Sequence, residues 1–193
     1  MIRLIAIFAS TLFVSGCVSF LPEPEVPQAL YRLGPIDQGA SIPFDRSVVV
    51  RQPDAPRILS GVSMVSRNRD GAIKLVKDVE WADRLPRLLQ MTMLDYLGPT
   101  EGGFAILPET GARAEFELSW RLAEFSLEGN RAIAQAELTL LDGKTRAALR
   151  QLTIYSESQA DSGSASDRAQ ALADAGRDIV RQAAEFVADG PAS

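Results

Sequence analysis

Few side chains in this sequence have the types and spacing that catalysis requires. The 193 residues include no histidine and a single cysteine. The lack of histidine removes the usual general base, transition-metal ligand and pH switch. The lysines Lys74, Lys77 and Lys144 leave a serine–lysine pair conceivable, but each lies on the polar phase of a predicted strand or at a turn. We therefore expect solvated lysines, no metal site and no cofactor.

Glu115 and Glu117 are the candidates for a pair of working carboxylates. They are two residues apart in a predicted strand, so their side chains share one face, and Glu124 follows further along. A glycosidase uses two such groups. Because this face lies opposite the apolar residues of the strand, a solvated sheet face is the favoured interpretation. Residues 68–71 resemble the start of a calcium loop but lack its remaining ligands, which favours a plain turn.

Cys17 has a spacing that predicts covalent lipid attachment. Residue Arg3 supplies one positive charge, and residues 4–14 form an apolar run too short to cross a bilayer. The run ends in Val-Ser-Gly before Cys17, which resembles the bacterial lipobox with Val14 in the position where leucine is commonest. We predict a signal peptide at 1–16 and acylation of the Cys17 thiol. The alternatives are an uncleaved anchor, or an ordinary signal peptide with a chance cysteine.

The residues after Cys17 bear on localisation. In enterobacterial lipoproteins an aspartate directly after the cysteine retains the protein at the inner membrane, whereas Val18 and Ser19 follow here. This favours the outer membrane, with attachment to its periplasmic face through acyl chains such as palmitate.

Composition predicts one globular domain on a short tether. Hydrophobic residues make up 46% and charged residues 23% of the chain, close to the globular average. Residues 17–29 are the lipidated terminus and a proline-rich tether, whose segment 20–28 would reach about 30 Å when extended. The domain is predicted at 30–189. The formal net charge of −5 argues against nucleic acid as a partner and against electrostatic docking on anionic lipid.

The hydrophobic periodicity predicts an α+β fold. Predicted strands cover residues 31–33, 44–50, 59–67, 72–79, 104–107, 114–127, 131–141 and 144–156. The turns between them predict a hairpin and then a three-stranded meander. Amphipathic helices are predicted at 83–97 and 167–187. We expect a single domain with a mostly antiparallel sheet and the two long helices packed on one face.

Trp81 stands just before the first predicted helix. Asp83 is expected to cap that helix, and Pro86 falls in its first turn, where a missing N–H costs little. The indole could act as a hydrophobic staple across the helix start, or it could be an exposed anchor for a partner. The sequence leaves both readings open.

Residues 76–97 carry a family resemblance. The pattern of a strand followed by Trp-Ala-Asp-x-Leu-Pro-x-Leu-Leu-Gln resembles the ABC-type transport auxiliary lipoproteins. Residues 31–35 (YRLGP) resemble the opening of that family's mature domain. The motif falls on six positions, expected to build the core-facing start of the helix: Trp81, Asp83, Leu85, Pro86, Leu88 and Leu89.

This resemblance implies a non-enzymatic role in transport. Such lipoproteins accompany an ABC transporter and MCE-domain proteins that move lipids between the two membranes. The implied partner is the periplasmic MCE-domain protein, docked at the outer membrane by a homo-oligomeric ring of lipoproteins. The family has no catalytic residues. The alternatives are a lipoprotein that shuttles its own lipid, or an assembly lipoprotein of another outer-membrane machine.

Overall fold

A long strand at Phe116–Glu128 organises the sheet in the computed structural model. The structure describes residues 27, 29–34, 41–98 and 102–191. The strands are β1 Ala29–Tyr31, β2 Ser47–Val50, β3 Ser63–Arg67, β4 Ile73–Trp81, β5 Phe104–Ile106, β6 Phe116–Glu128, β7 Arg131–Asp142 and β8 Ala148–Gln159. The helices are α1 Leu85–Tyr96 and α2 Ala165–Ala188, with 3-10 turns at Arg57–Leu59 and Pro108–Thr110. The predicted signal peptide, Cys17 and nearly all of the tether lie outside the described residues.

The meander is formed by β6, β7 and β8, as predicted. Both ladders are antiparallel and run almost the whole length of the strands. Gly143 follows β7 because the chain passes very close to itself there: a Cβ at this position would lie 2.0 Å from the carbonyl oxygen of Ala114. β8 begins four residues later than expected, since Asp142 Oδ1 accepts N–H bonds from Lys144 and Thr145 and extends the turn.

The rest of the sheet combines antiparallel and parallel pairs. β3 and β4 form the predicted hairpin. β2 runs parallel to the start of β6, and β3 runs parallel to its end. β1 runs parallel to β4, and β5 runs parallel to β2. The expectation of a mostly antiparallel sheet therefore holds for the longest pairs, while these short pairs are parallel because crossovers connect them.

Both long helices cover one face of the sheet, as predicted. α2 contacts β7 and β8 along much of its length and also touches β4, β6 and β1, whereas α1 packs against α2 and β2. α2 begins at Ala165, two residues before the predicted start, because Ser164 Oγ caps it by accepting the N–H of Asp167 at 3.0 Å. Small residues let α2 approach closely, above all Gly176, which faces the side chains of Leu33 and Phe125.

Candidate functional site

Trp81 lies in the core between the sheet and the helices. Its side chain is only 2% exposed, and its ring meets Phe125 edge-on at a centroid distance of 5.9 Å. The reading of Trp81 as an exposed partner anchor is therefore wrong. It is not a hydrophobic staple in the strict sense either, because the residue directly before the helix cap is Asp83.

The backbone around Trp81 joins several elements at the start of α1. The N–H of Trp81 donates to the carbonyl of Val62 at 2.8 Å, and the N–H of Ala82 donates to Tyr31 at 2.8 Å. The N–H of Leu85 donates to Gly61 at 3.0 Å. These bonds hold the β4–α1 connection against β1 and the chain before β3, so the helix begins at a fixed place.

Asp83 does not cap α1, contrary to the sequence prediction. The cap position is Arg84, which makes no side-chain capping bond, and Asp83 Oδ1 instead accepts the N–H of Arg84 at 2.7 Å. The first turn needs less capping than expected because Pro86 has no N–H to satisfy and Gly61 accepts the N–H of Leu85. Asp83 therefore remains exposed in the connection between β4 and α1.

The six motif residues divide into a buried set and an accessible set. Leu85, Pro86 and Leu89 join Trp81 in the core, as expected for a core-facing helix start. Leu88 is half-buried and Asp83 is exposed. Burial in the core explains the first four residues, and Leu88 packs partly against that core, whereas packing does not account for the exposed Asp83.

A groove of about 610 Å³ lies beside the accessible motif residues. Its lining comes from the end of β1, the β4–α1 connection and the outer face of α1: Arg32, Leu33, Gly34, Ala82, Asp83, Leu88, Met91, Thr92 and Asp95. Burial raises the pKa of the Asp95 carboxyl above its ordinary value. Leu88 and Met91 form the apolar side of this motif groove, and its two carboxylates outnumber the single cation, Arg32. The groove can therefore accept an amphipathic segment carrying positive charge.

Gln90 has a structural role that periodicity did not reveal. Its side chain is 1% exposed, and its Nε2 donates to the carbonyl of Val50 at 2.9 Å. Its Oε1 accepts from Arg87 Nη1 at 2.8 Å. The bond to Val50 fixes α1 on β2. The sequence signal for this role is that Gln90 is an uncharged polar residue next to the apolar stripe of the helix.

Glu117 is not part of a solvated face, which corrects the sequence interpretation. It is 6% exposed and accepts hydrogen bonds from Arg51 and Arg146. Burial alone raises the pKa of its carboxyl, but the two arginines outweigh burial and hold the pKa below its ordinary value. Arg146 reaches it from the extended β7–β8 turn, a contact that strand periodicity could not predict. Glu115 is paired with Arg46 at 2.6 Å, so each of the two carboxylates is held by arginine.

The other chemical candidates lie where the sequence placed them. Lys74, Lys77 and Lys144 are exposed, in agreement with the solvated reading. Asp70 Oδ1 accepts the N–H of Ala72 at 3.1 Å, so residues 68–71 form a plain turn. Over the described ranges, no group of three or more His, Cys, Asp or Glu residues is arranged to hold a metal ion. Neither helix of the described part is long and apolar enough to cross a membrane.

A comparison with models of known protein families found a match to this chain. A model of the family described as the ABC-type transport auxiliary lipoprotein component matches residues 31–188, from β1 to the last residue of α2. No curated protein matches the sequence.

Two solved structures share the fold. A DUF330-family protein from Xanthomonas campestris has a TM-score of 0.68 at 14% identity, covering 87% of this chain and 89% of its own. An uncharacterised protein has a TM-score of 0.66 at 15% identity, covering 84% of this chain and 99% of its own. At these identities the likeness concerns the fold alone. Because the family model matches residues 31–188, the chain belongs to the ABC-type transport auxiliary lipoprotein family.

Proposed function

We propose that this chain is the outer-membrane-anchored periplasmic lipoprotein of an MCE/ABC-type lipid transport system, where it docks the MCE-domain protein. The observation that carries the proposal is family membership over residues 31–188. The family is one of transport auxiliary components and not of enzymes, which fits a chain without histidine. In this role Cys17 carries the lipid, and the domain faces the periplasm.

The motif groove is the face we assign to the partner. Asp83 and Leu88 both belong to the family motif and line the groove, where Asp83 is exposed and Leu88 is only partly buried against the core. The sheet face that a lipid shuttle would need for a cavity is instead covered by α1 and α2. The fold thus supports docking over the shuttle alternative.

A charge reversal at the groove tests the docking role. We expect Asp83→Arg to reduce capture of the MCE-domain protein from detergent-solubilised membranes by about tenfold or more, because a like charge replaces a complementary one. Glu109→Arg is the matched control, since Glu109 is also an exposed acid but lies in the 3-10 turn at Pro108–Thr110. The measurement is quantitative mass spectrometry of the captured partner.

Two results would contradict the proposal at different levels. If the wild-type chain captures no MCE-domain protein from intact membranes, the assigned transport system is wrong. If both variants capture it as well as wild type, the motif groove is not the docking face. Sedimentation of the solubilised protein tests the proposed ring of identical subunits, which a purely monomeric species would exclude.

A further inference from the structure

One end of the domain carries the β3–β4 turn, the β6–β7 turn and the start of α2. The register places these together because Arg67 pairs with Glu128 across the parallel strands β3 and β6. A hydrogen bond of 3.1 Å from Arg168 Nη2 to Ser66 Oγ joins the first turns of α2 to the same place. We refer to this region as the turn end.

The position of β1 limits how far the domain can lie from the lipidated residue. β1 runs parallel to β4, with Ala29 opposite Val79, and β4 runs away from the β3–β4 turn. Ala29 is therefore the end of β1 that lies nearer the β3–β4 turn. Cys17 is 12 residues before Ala29 (29 minus 17), so a fully extended chain between them reaches about 40 Å at most. A membrane that holds the Cys17 lipid lies within that distance of β1.

Cations without carboxylate partners concentrate at the turn end. A groove of about 800 Å³ is lined by Arg67, Arg69, Arg131 and Arg168, together with Glu128. Arg67 forms ion pairs with Glu124 and Glu128, and Arg131 forms ion pairs with Glu128 and Glu157. Arg69 and Arg168 form no ion pair with any described residue, and the Nε atoms of Arg67 and Arg168 are buried without an acceptor. The groove therefore has more hydrogen-bond donors than the protein itself satisfies.

A second groove of about 370 Å³ continues from the first along β4. It is lined by Lys74 and Lys77 and shares Arg168 with the larger groove. Both lysines are exposed and have no ion-pair partner in the described part of the chain, although Asp78 lines the same groove. Together the two grooves present four unpaired cations on one end of a chain whose overall charge is negative.

Exposed apolar side chains accompany these cations. Ile73 and Leu75 flank Lys74 at the start of β4, and each is 54% exposed. Ile58, 43% exposed, lines a small groove with Ile73 on the other side of the hairpin. Large aliphatic side chains beside lysine and arginine are the composition of a surface that enters a lipid headgroup layer.

We infer that the turn end docks on an anionic phospholipid surface, the one that carries the Cys17 lipid. This inference rests on the lipid attachment in the proposed function. The net charge argued against such docking, but Arg69, Arg168, Lys74 and Lys77 have no ion-pair partner among the described residues. The lipid anchor keeps the whole domain near the membrane, so even a weak surface contact is populated through its high effective concentration. Phosphate groups would occupy the grooves, and Ile73 and Leu75 would contact the acyl boundary.

Vesicle binding of the unanchored mature chain tests this contact directly. The chain starts at residue 17 and carries Cys17→Ala, so no lipid contributes to binding. We expect it to co-sediment with vesicles of equimolar phosphatidylglycerol and phosphatidylcholine, to bind pure phosphatidylcholine far more weakly, and to lose binding as salt rises. Lys74→Gln with Lys77→Gln should weaken binding about 25-fold, since each cation near such a surface contributes about fivefold.

A matched double variant controls for net charge. Arg113 and Lys144 are also exposed and unpaired among the described residues but lie at the opposite end of β6, so Arg113→Gln with Lys144→Gln removes the same charge. This variant should bind as the parent does. Ile73→Ser with Leu75→Ser should lower the binding that persists at high salt. All of these positions are exposed, and thermal melting confirms that each variant folds.

The inference fails if the parent chain shows no preference for anionic vesicles, or if the two double charge variants lose binding equally. Lipid attachment is read separately, by acyl labelling of the wild-type chain in cells. Labelled Cys17 with no vesicle binding would leave the proposed function standing and overturn this inference alone. An unlabelled Cys17 would instead overturn the anchoring on which the orientation depends.

Discussion

At the scale of single residues, charge pairing distinguishes side chains that the sequence presents as equivalent. Glu115 and Glu117 lie two residues apart in the same strand segment and have neighbours of the same type. Glu115 is nevertheless about half exposed, whereas Glu117 is buried between two arginines. The side chain of Glu117 is 8% exposed, against about half for its partners Arg51 and Arg146. The pair of arginines thus keeps a carboxylate charged in a place that would otherwise neutralise it.

We expect Glu117→Gln to lower the free energy of unfolding by about 1 to 2 kcal/mol at neutral pH, because two charge-assisted hydrogen bonds are lost and the arginines are half exposed. The lowered pKa means that this stabilisation is present above the usual glutamate pKa and is lost as pH falls through the folded-state value. Urea titrations of wild type and variant from neutral to acidic pH measure the difference.

Glu115→Gln is the control for this prediction, since Glu115 lies on the same strand and pairs with a single arginine on the surface. We expect a loss well under 1 kcal/mol there. Equal losses for the two variants, or a Glu117→Gln effect that persists unchanged at low pH, would contradict the role assigned to the buried carboxylate.

At the scale of elements, helix α2 fits the sheet through a stripe of small residues. Ala169, Ala173, Gly176 and Ala183 are all buried on the helix face that meets the strands. Gly176 costs the helix about 1 kcal/mol relative to alanine, so its presence in the middle of α2 needs a reason. The reason is space, since a Cβ there would lie 2.7 Å from Leu33 Cδ2 and 3.1 Å from Phe125 Cζ.

We therefore expect Gly176→Leu to lower the free energy of unfolding by about 1 to 3 kcal/mol despite the better helix propensity of leucine, because the added carbons overpack the contact between α2 and β6. Gln170→Leu adds leucine to an exposed position of the same helix and should not destabilise the domain. Urea denaturation of both variants measures the difference. A Gly176→Leu protein as stable as wild type would show that the contact between α2 and β6 can relax.

At the scale of the whole molecule, the two grooves lie on different parts of one small domain. The motif groove is formed at the end of β1 and the start of α1, whereas the arginine-lined groove is at the turn end. The proposed membrane contact and the proposed partner contact therefore do not compete for the same residues. A lipid-anchored docking subunit requires this separation.

We expect Cys17→Ala to yield a folded periplasmic domain that carries no acyl label and no longer supports lipid transport, because membrane attachment rests mainly on the acyl chains. Metabolic labelling with a palmitate analogue, membrane fractionation and complementation of a deletion strain measure the three outcomes. Ser19→Ala, which leaves the Cys17 thiol intact, serves as the control. Full complementation by unlabelled Cys17→Ala would show that anchoring is not required.

The sequence by itself determined the local elements and the family. The hairpin, the meander and the two amphipathic helices follow from periodicity and turn residues, since these act over a few neighbouring positions. The pattern from Trp81 to Leu89 was enough to indicate the family that the comparison confirms.

Only the tertiary structure decided what depends on residues far apart in the chain. The parallel pairs of β1, β2 and β3, the arginines around Glu117 and the burial of Trp81 against Phe125 all join distant segments. The gathering of unpaired cations at the turn end arises in the same way, from the meeting of β4 with the start of α2. Periodicity shows which side of an element is apolar, but it does not show which element that side will meet, because the meeting depends on crossovers and close packing of the whole chain.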